Sequence, residues 1–204
     1  MPENQISPIQ KDALKEVINI GAGNASTALS KLISKKVLTS VPELNFCRVE
    51  EVSKNIDDLE KLMTVVLLQT KEVLPGTILL LFSPEGALEL TEVLTQKRYN
   101  NIKELDEFGK SALCEVGNIL VGACASALSN FLGLNIVSSV PDVATDMVGS
   151  LLNAVLVDMG QAAEEIFEFK VDFNVEDKKI SGRMMFMFTP EATEKILATI
   201  NTKI

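Results

Sequence analysis

Apolar residues recur at helical spacing after Ser7-Pro8, at Ala13, Val17, Ile20, Ala28 and Leu32, and predict a helix to about Lys35. Serine at the cap and proline in the first turn mark its start. The small-residue run GAGNASTA lies inside it, a composition that lets another backbone approach closely. Extended segments are then expected at 36–41, 44–50, 63–70 and 77–82, followed by a helix over 84–97 opened by Ser83-Pro84-Glu85. The second half reads alike, with a helix over 106–132, a strand at 134–138, strands near 166–174 and 180–188, and a helix from Pro190. The run DVATDMVGSLLNAVL (142–156) reads as an additional helix.

The likeness of the halves extends to residue identity. An offset of 99 aligns 12–42 with 111–141 without a gap, and thirteen of those 31 positions are identical. Ordinary composition gives about two. A weaker echo pairs GTILLLFSPE (76–85) with GRMMFMFTPE (182–191). The chain, 1–204, is therefore read as one domain of two repeats, about 1–98 and 105–204. The expected class is α+β, a mostly antiparallel sheet with pseudo-two-fold internal duplication.

Composition narrows the chemistry. The chain has 28 acidic and 19 basic residues, a net charge of -9 and a pI near 4.7, so its field repels nucleic acid. It has no histidine, which removes imidazole acid–base catalysis, a phosphohistidine relay and histidine-ligated zinc. The three cysteines, Cys47, Cys114 and Cys124, make no CxxC pair and suit a reducing compartment. The N-terminus has no signal-peptide pattern, and no apolar run is expected to reach the roughly 18 residues of a membrane span. A soluble cytoplasmic protein without membrane insertion is expected.

Within each repeated helix a glutamate precedes an asparagine by three, and a proline follows 23 positions after the asparagine. These are Glu16, Asn19 and Pro42, then Glu115, Asn118 and Pro141. Asp12 and Ser111 stand four residues before the glutamates, so each trio shares one helix face. Asparagine costs roughly 0.7 kcal/mol against alanine in a helix interior. Its retention at both positions, while neighbours such as Lys15/Cys114 and Lys31/Asn130 diverge, argues against simple solvation. The prolines are expected to end the first strand of each half.

The pattern D/S-x3-E-x2-N-x22-P resembles the signature of the CheC/CheX/FliY chemotaxis phosphatases, and both copies match it fully. NIGAGNA (19–25) and LDEFGKSALCEVGNI (105–119) are similar to CheC-type sequences as well. Two copies favour a CheC-type over a CheX-type chain, and the length favours it over FliY. The resemblance implies two signature helices side by side on one surface and hydrolysis of the aspartyl-phosphate of the response regulator CheY. It implies that Asn19 or Asn118 orients the attacking water and that Glu16 or Glu115 pairs with the regulator's phosphate-site lysine. The implied protein has no cofactor or metal of its own, and magnesium arrives with the regulator. A second implied partner is CheD, with Asp146, beside Met147 in the 142–156 segment, as a polar contact. The alternative reading is a non-catalytic adaptor that binds CheY or CheD.

Overall fold

A computed structural model describes residues 6–49, 51, 60–160 and 165–203. Its first helix, α1 (Pro8–Ile33), begins with a capping box. The Ser7 side chain accepts from the Gln10 N–H, and the Gln10 side chain accepts from the Ser7 N–H. Strands β1 (Val37–Arg48), β2 (Leu62–Thr70) and β3 (Gly76–Phe82) follow, then helix α2 (Pro84–Thr95) and a short 3-10 turn at Ile102–Glu104. The second half contains α3 (Glu107–Leu132), β4 (Asp142–Met147), α4 (Val148–Asp158), β5 (Glu165–Val175), β6 (Lys178–Phe188) and α5 (Pro190–Asn201).

Among the described residues six strands form one antiparallel sheet in the order β1-β5-β6-β3-β2-β4. Exchanging β1 with β4, β5 with β2 and β6 with β3 gives the same order read from the opposite edge. One face is buried beneath α1, α2, α3 and α5, with Phe82, Phe169, Phe173, Phe186 and Phe188 filling the space between the layers. The other face carries α4, whose Val148, Leu152 and Val155 pack on Val65, Leu79, Leu81, Ile166, Met185 and Met187.

Helices α1 and α3 lie side by side and touch backbone to backbone. A Cβ on Gly21 would stand 2.6 Å from the Cys124 Cα, and the Cys124 thiol lies 3.8 Å from the Ile18 carbonyl. Only glycine permits that approach. By length and composition α3 is apolar enough to cross a membrane, contrary to expectation: 116–132 has no charged residue, and only Asn118, Ser126, Ser129 and Asn130 interrupt its non-polar residues. Here its apolar stripe is packed against α1 and the sheet.

Several expected boundaries move. The strands expected at 36–41 and 44–50 are one strand, β1, whose register with β5 shifts between Ser40 and Glu43 (residue 50 lies outside the described residues). Pro42 sits in that shift and does not end the strand. A residue without an N–H is tolerated at such an irregularity on an edge strand. The strand expected at 134–138 reduces to one bridge, Ser138 to Thr70. The additional helix expected over 142–156 is part strand: Asp142–Met147 pairs with β2, and the helix begins at Val148. With the 99-residue offset, Asp142–Met147 is the counterpart of Glu43–Arg48, the part of β1 beyond its proline.

Gly21→Ala tests the helix crossing. Its methyl meets backbone that cannot rotate away, so the variant should lose about 1–3 kcal/mol, read from urea unfolding.

Candidate functional site

The two copies of the motif begin alike and end differently. Asp12 and Glu16 are exposed on α1, and Ser111 and Glu115 are exposed on α3. The start of α3 is fixed by Asp106, whose carboxylate accepts from the Gly109 N–H, the Tyr99 hydroxyl and Lys97. The Lys97 hydrogen bond, then that of Tyr99, holds this carboxyl well below its usual range, so it stays charged at the helix N-terminus.

The asparagines part company. Asn19 is half-buried, and its carboxamide is committed to its own chain. Its Oδ1 accepts the Val41 N–H at 2.9 Å, and its Nδ2 donates to the Val41 and Lys15 carbonyls, both at 3.1 Å. It is one rung of a ladder. The Ser26 hydroxyl accepts the Thr39 N–H at 2.7 Å, and the Ser30 hydroxyl accepts the Val37 N–H at 2.9 Å. Alternate backbone donors of β1 thus point away from β5 and are satisfied by α1, which seals the outer edge of the sheet there.

The second half lacks this ladder. Ala125 stands at the position equivalent to Ser26, and the Ser129 hydroxyl donates to the Leu134 carbonyl. Val140, the counterpart of Val41, is 87% exposed. Its neighbour Ser139 instead reaches β2, its N–H donating to the Gln69 carbonyl and its hydroxyl accepting the Gln69 N–H. Asn118 is exposed, and no hydrogen bond to a described residue engages its carboxamide. With Ser111, Cys114, Glu115, Val140 and Pro141 it lines an open hollow of about 400 Å³. The fold therefore brings Ser111, Glu115 and Asn118 together with Pro141, as the spacing requires. Sequence reasoning missed the rungs Ser26 and Ser30, although the Ser26/Ala125 difference was visible.

Partial burial, then Asp142, raises the Cys114 thiol, and burial pushes Cys124 up to about 12. Neither is a thiolate nucleophile near neutral pH. Among the described residues no three His, Cys, Asp or Glu side chains gather as metal ligands. Asp146 is exposed on β4, four residues beyond Asp142 and so roughly 13 Å along the strand, and it does not line the hollow. Its carboxylate accepts the Met147 N–H. The apolar residues of 142–156 divide: Val148, Leu152 and Val155 are core, Val143 and Leu151 partly buried, and Met147 is 41% exposed. A second hollow, about 360 Å³ on the other sheet face, contains none of the motif residues, and its buried Glu168 is already paired with Arg183 and Asn45.

Comparison with known proteins meets the same residues. A model of the CheC-like family matches residues 9–46 and 108–144, the two motif copies with their flanks. The CheY-P phosphatase CheC of Bacillus subtilis (strain 168) is 26% identical, with 98% of each chain covered. The fold is similar to that of Thermotoga maritima FliY, with a TM-score of 0.76 at 21% identity over 98% of this chain and 99% of that one. It is also similar to the middle domain of Helicobacter pylori FliM, with a TM-score of 0.69 at 13% identity over 95% and 99%.

Ser26→Ala removes the acceptor for the Thr39 N–H and leaves that donor without its partner. It should lower stability by about 1–3 kcal/mol in urea unfolding, whereas Ala125→Ser should not raise it comparably.

Proposed function

We propose that the chain is a CheC-type protein that hydrolyses the aspartyl-phosphate of CheY, with the second motif copy carrying most of the turnover. One observation supports this above the others: Asn118 presents an unengaged carboxamide beside Glu115 on an exposed helix face, at the edge of an open hollow.

The chemistry asks little of this protein. An acyl phosphate is already activated, and its hydrolysis needs a water in line with the P–O bond that breaks. Water oxygen adds to phosphorus, the aspartate carboxylate leaves with the bonding pair, and the water's proton passes to phosphate or solvent. A carboxamide holds such a water well, because it offers both an acceptor and donors. Orientation of this kind supplies several kcal/mol. Glu115 serves as the docking contact for a lysine of the regulator, and Ser111 borders it. Magnesium enters with the regulator, where it neutralises the phosphoryl oxygens.

The first copy has the same parts in a different state. Glu16 and Asp12 are free to dock a regulator, but Asn19 must exchange the Val41 backbone for water before it can act. That exchange strips a β1 rung, so the first site is the slower one. A non-catalytic adaptor would have no use for the water-holding group of Asn118. For CheD, the exposed Asp146 and Met147 at the edge of β4 form the proposed contact, away from both asparagines.

Acyl-phosphate decay of cognate CheY-P is the measurement. Asn118→Ala should lower acceleration at least tenfold, on the order of the loss of one positioning group, without loss of stability. Asn19→Ala should lower it by less and should also lower the unfolding midpoint, because a rung is lost. Equal activity of Asn118→Ala and the parent protein would refute the mechanism. Asp146→Lys should abolish binding of CheD while decay of CheY-P continues at its parent rate, read by calorimetry and by the decay assay. Unchanged CheD affinity would place that contact elsewhere.

A further inference from the structure

Gly23 and Gly122 occupy equivalent positions, each four residues after the motif asparagine of its helix. Both lie inside a helix, where glycine is the least favourable residue after proline, and neither has the positive φ that would require it. Gly21 and Gly117, in the same two helices, have evident reasons. A Cβ on Gly21 would strike the Cys124 backbone, and one on Gly117 would come within 2.4 Å of a Val66 methyl. A Cβ on Gly23 or Gly122 would meet nothing within 4 Å among the described residues. The described fold therefore supplies no reason for glycine at either place, and it has glycine at both.

The face these glycines occupy is the motif face. Gly23 lies two helical turns after Glu16, and Gly122 two turns after Glu115. Two turns before each glutamate, on the same stripe, stands a large apolar residue in the open: Ile9, 65% exposed, and Phe108, 60% exposed. Each stripe thus reads apolar side chain, carboxylate, carboxamide, bare backbone.

We infer that Gly122, and Gly23 in the first copy, are clearances that let the backbone of phosphorylated CheY lie directly on the helix, with Phe108 or Ile9 as the apolar anchor at the other end of the footprint. The inference rests on the CheY-P reading and adds how the regulator is seated. Asparagine is a short side chain. For its carboxamide to reach water at a phosphorus inside another protein, the two main chains must nearly touch beside it. A methyl one turn further along would hold the partner off, while a lysine on the regulator still met the Glu115 carboxylate. An aromatic anchor and a charge contact fix position, and the glycine permits depth.

The test uses the full chain with Gly122→Ala and Phe108→Ser, each compared with the parent in CheY-P decay over a range of CheY-P concentration and in urea unfolding. Gly122→Ala should unfold at the same or a higher urea concentration, since alanine favours helix, yet raise KM about tenfold or more. Phe108→Ser should raise KM with kcat nearly kept, and Gly23→Ala should have a smaller effect than Gly122→Ala. If the parent accelerates decay and Gly122→Ala has the parent's KM, the clearance is wrong and the phosphatase reading stands. Loss of both activity and stability in Gly122→Ala would make the glycine structural and overturn the inference. Failure of the parent itself to accelerate decay would remove the phosphatase reading and this inference together.

Discussion

A sheet that does not close has two edges, and each edge presents backbone donors and acceptors that pair with something or remain open to another chain. In this protein the two edges, β1 and β4, are settled differently, and the character of each motif copy follows. On the β1 side, α1 lies close enough for Asn19, Ser26 and Ser30 to take the Val41, Thr39 and Val37 N–H groups. The edge is sealed by side chains of a helix, and a motif asparagine is among them. On the other side the run 138–147 follows β2, first through Ser138 and Ser139 and then as β4, with Val140 turned outward between them. That side asks nothing of Asn118.

The same helices set the distance between chemistry and core. Because Gly21 lets α1 touch α3 at the Cys124 backbone, the inner faces of both helices are spent on each other and on the sheet. What remains outward on each helix is a stripe that carries the motif glutamate, with Ile9 or Phe108 near its start. The glutamates are therefore presented by rigid backbone and not by loops, which suits the positioning role proposed for this face. A loop-borne side chain would surrender much of the orientation that a helix supplies.

Much of this was legible in the sequence because it is local. Ser7-Pro8 and Ser83-Pro84 start their helices where the cap chemistry puts them, and the spacing of Glu115, Asn118 and Pro141 brings the three to one hollow. What was not legible depends on partners distant in sequence. Val143, Met147, Val148, Leu151, Leu152 and Val155 recur at helical spacing, so 142–156 reads as one helix. Its first six residues are strand because β2 offers them a free edge, which no local pattern announces. Pro42 reads as a strand end, yet β5 on one side and α1 on the other carry β1 past it. The commitment of Asn19 is likewise tertiary, since it depends on how far β1 lies from α1. The only trace in the sequence is serine at 26 where the second copy has Ala125.

An internal comparison also separates constraints that the fold imposes from those it does not. Ser30 and Ser129 are identical, but one holds a strand edge and the other the end of its own helix, so identity alone does not mean one role. Gly21 is matched by Leu120, and its need for glycine is explained entirely by the crossing of α1 and α3. Asn118 and Gly122 are the reverse case: each repeats its counterpart, each is unfavourable in a helix, and no described neighbour compensates. Residues that cost stability and gain no contact within the chain are where a contact outside it is to be sought. On α3 they lie one turn apart beside Glu115, on a chain of net charge -9, which turns that search toward a partner that brings its own cations to the interface.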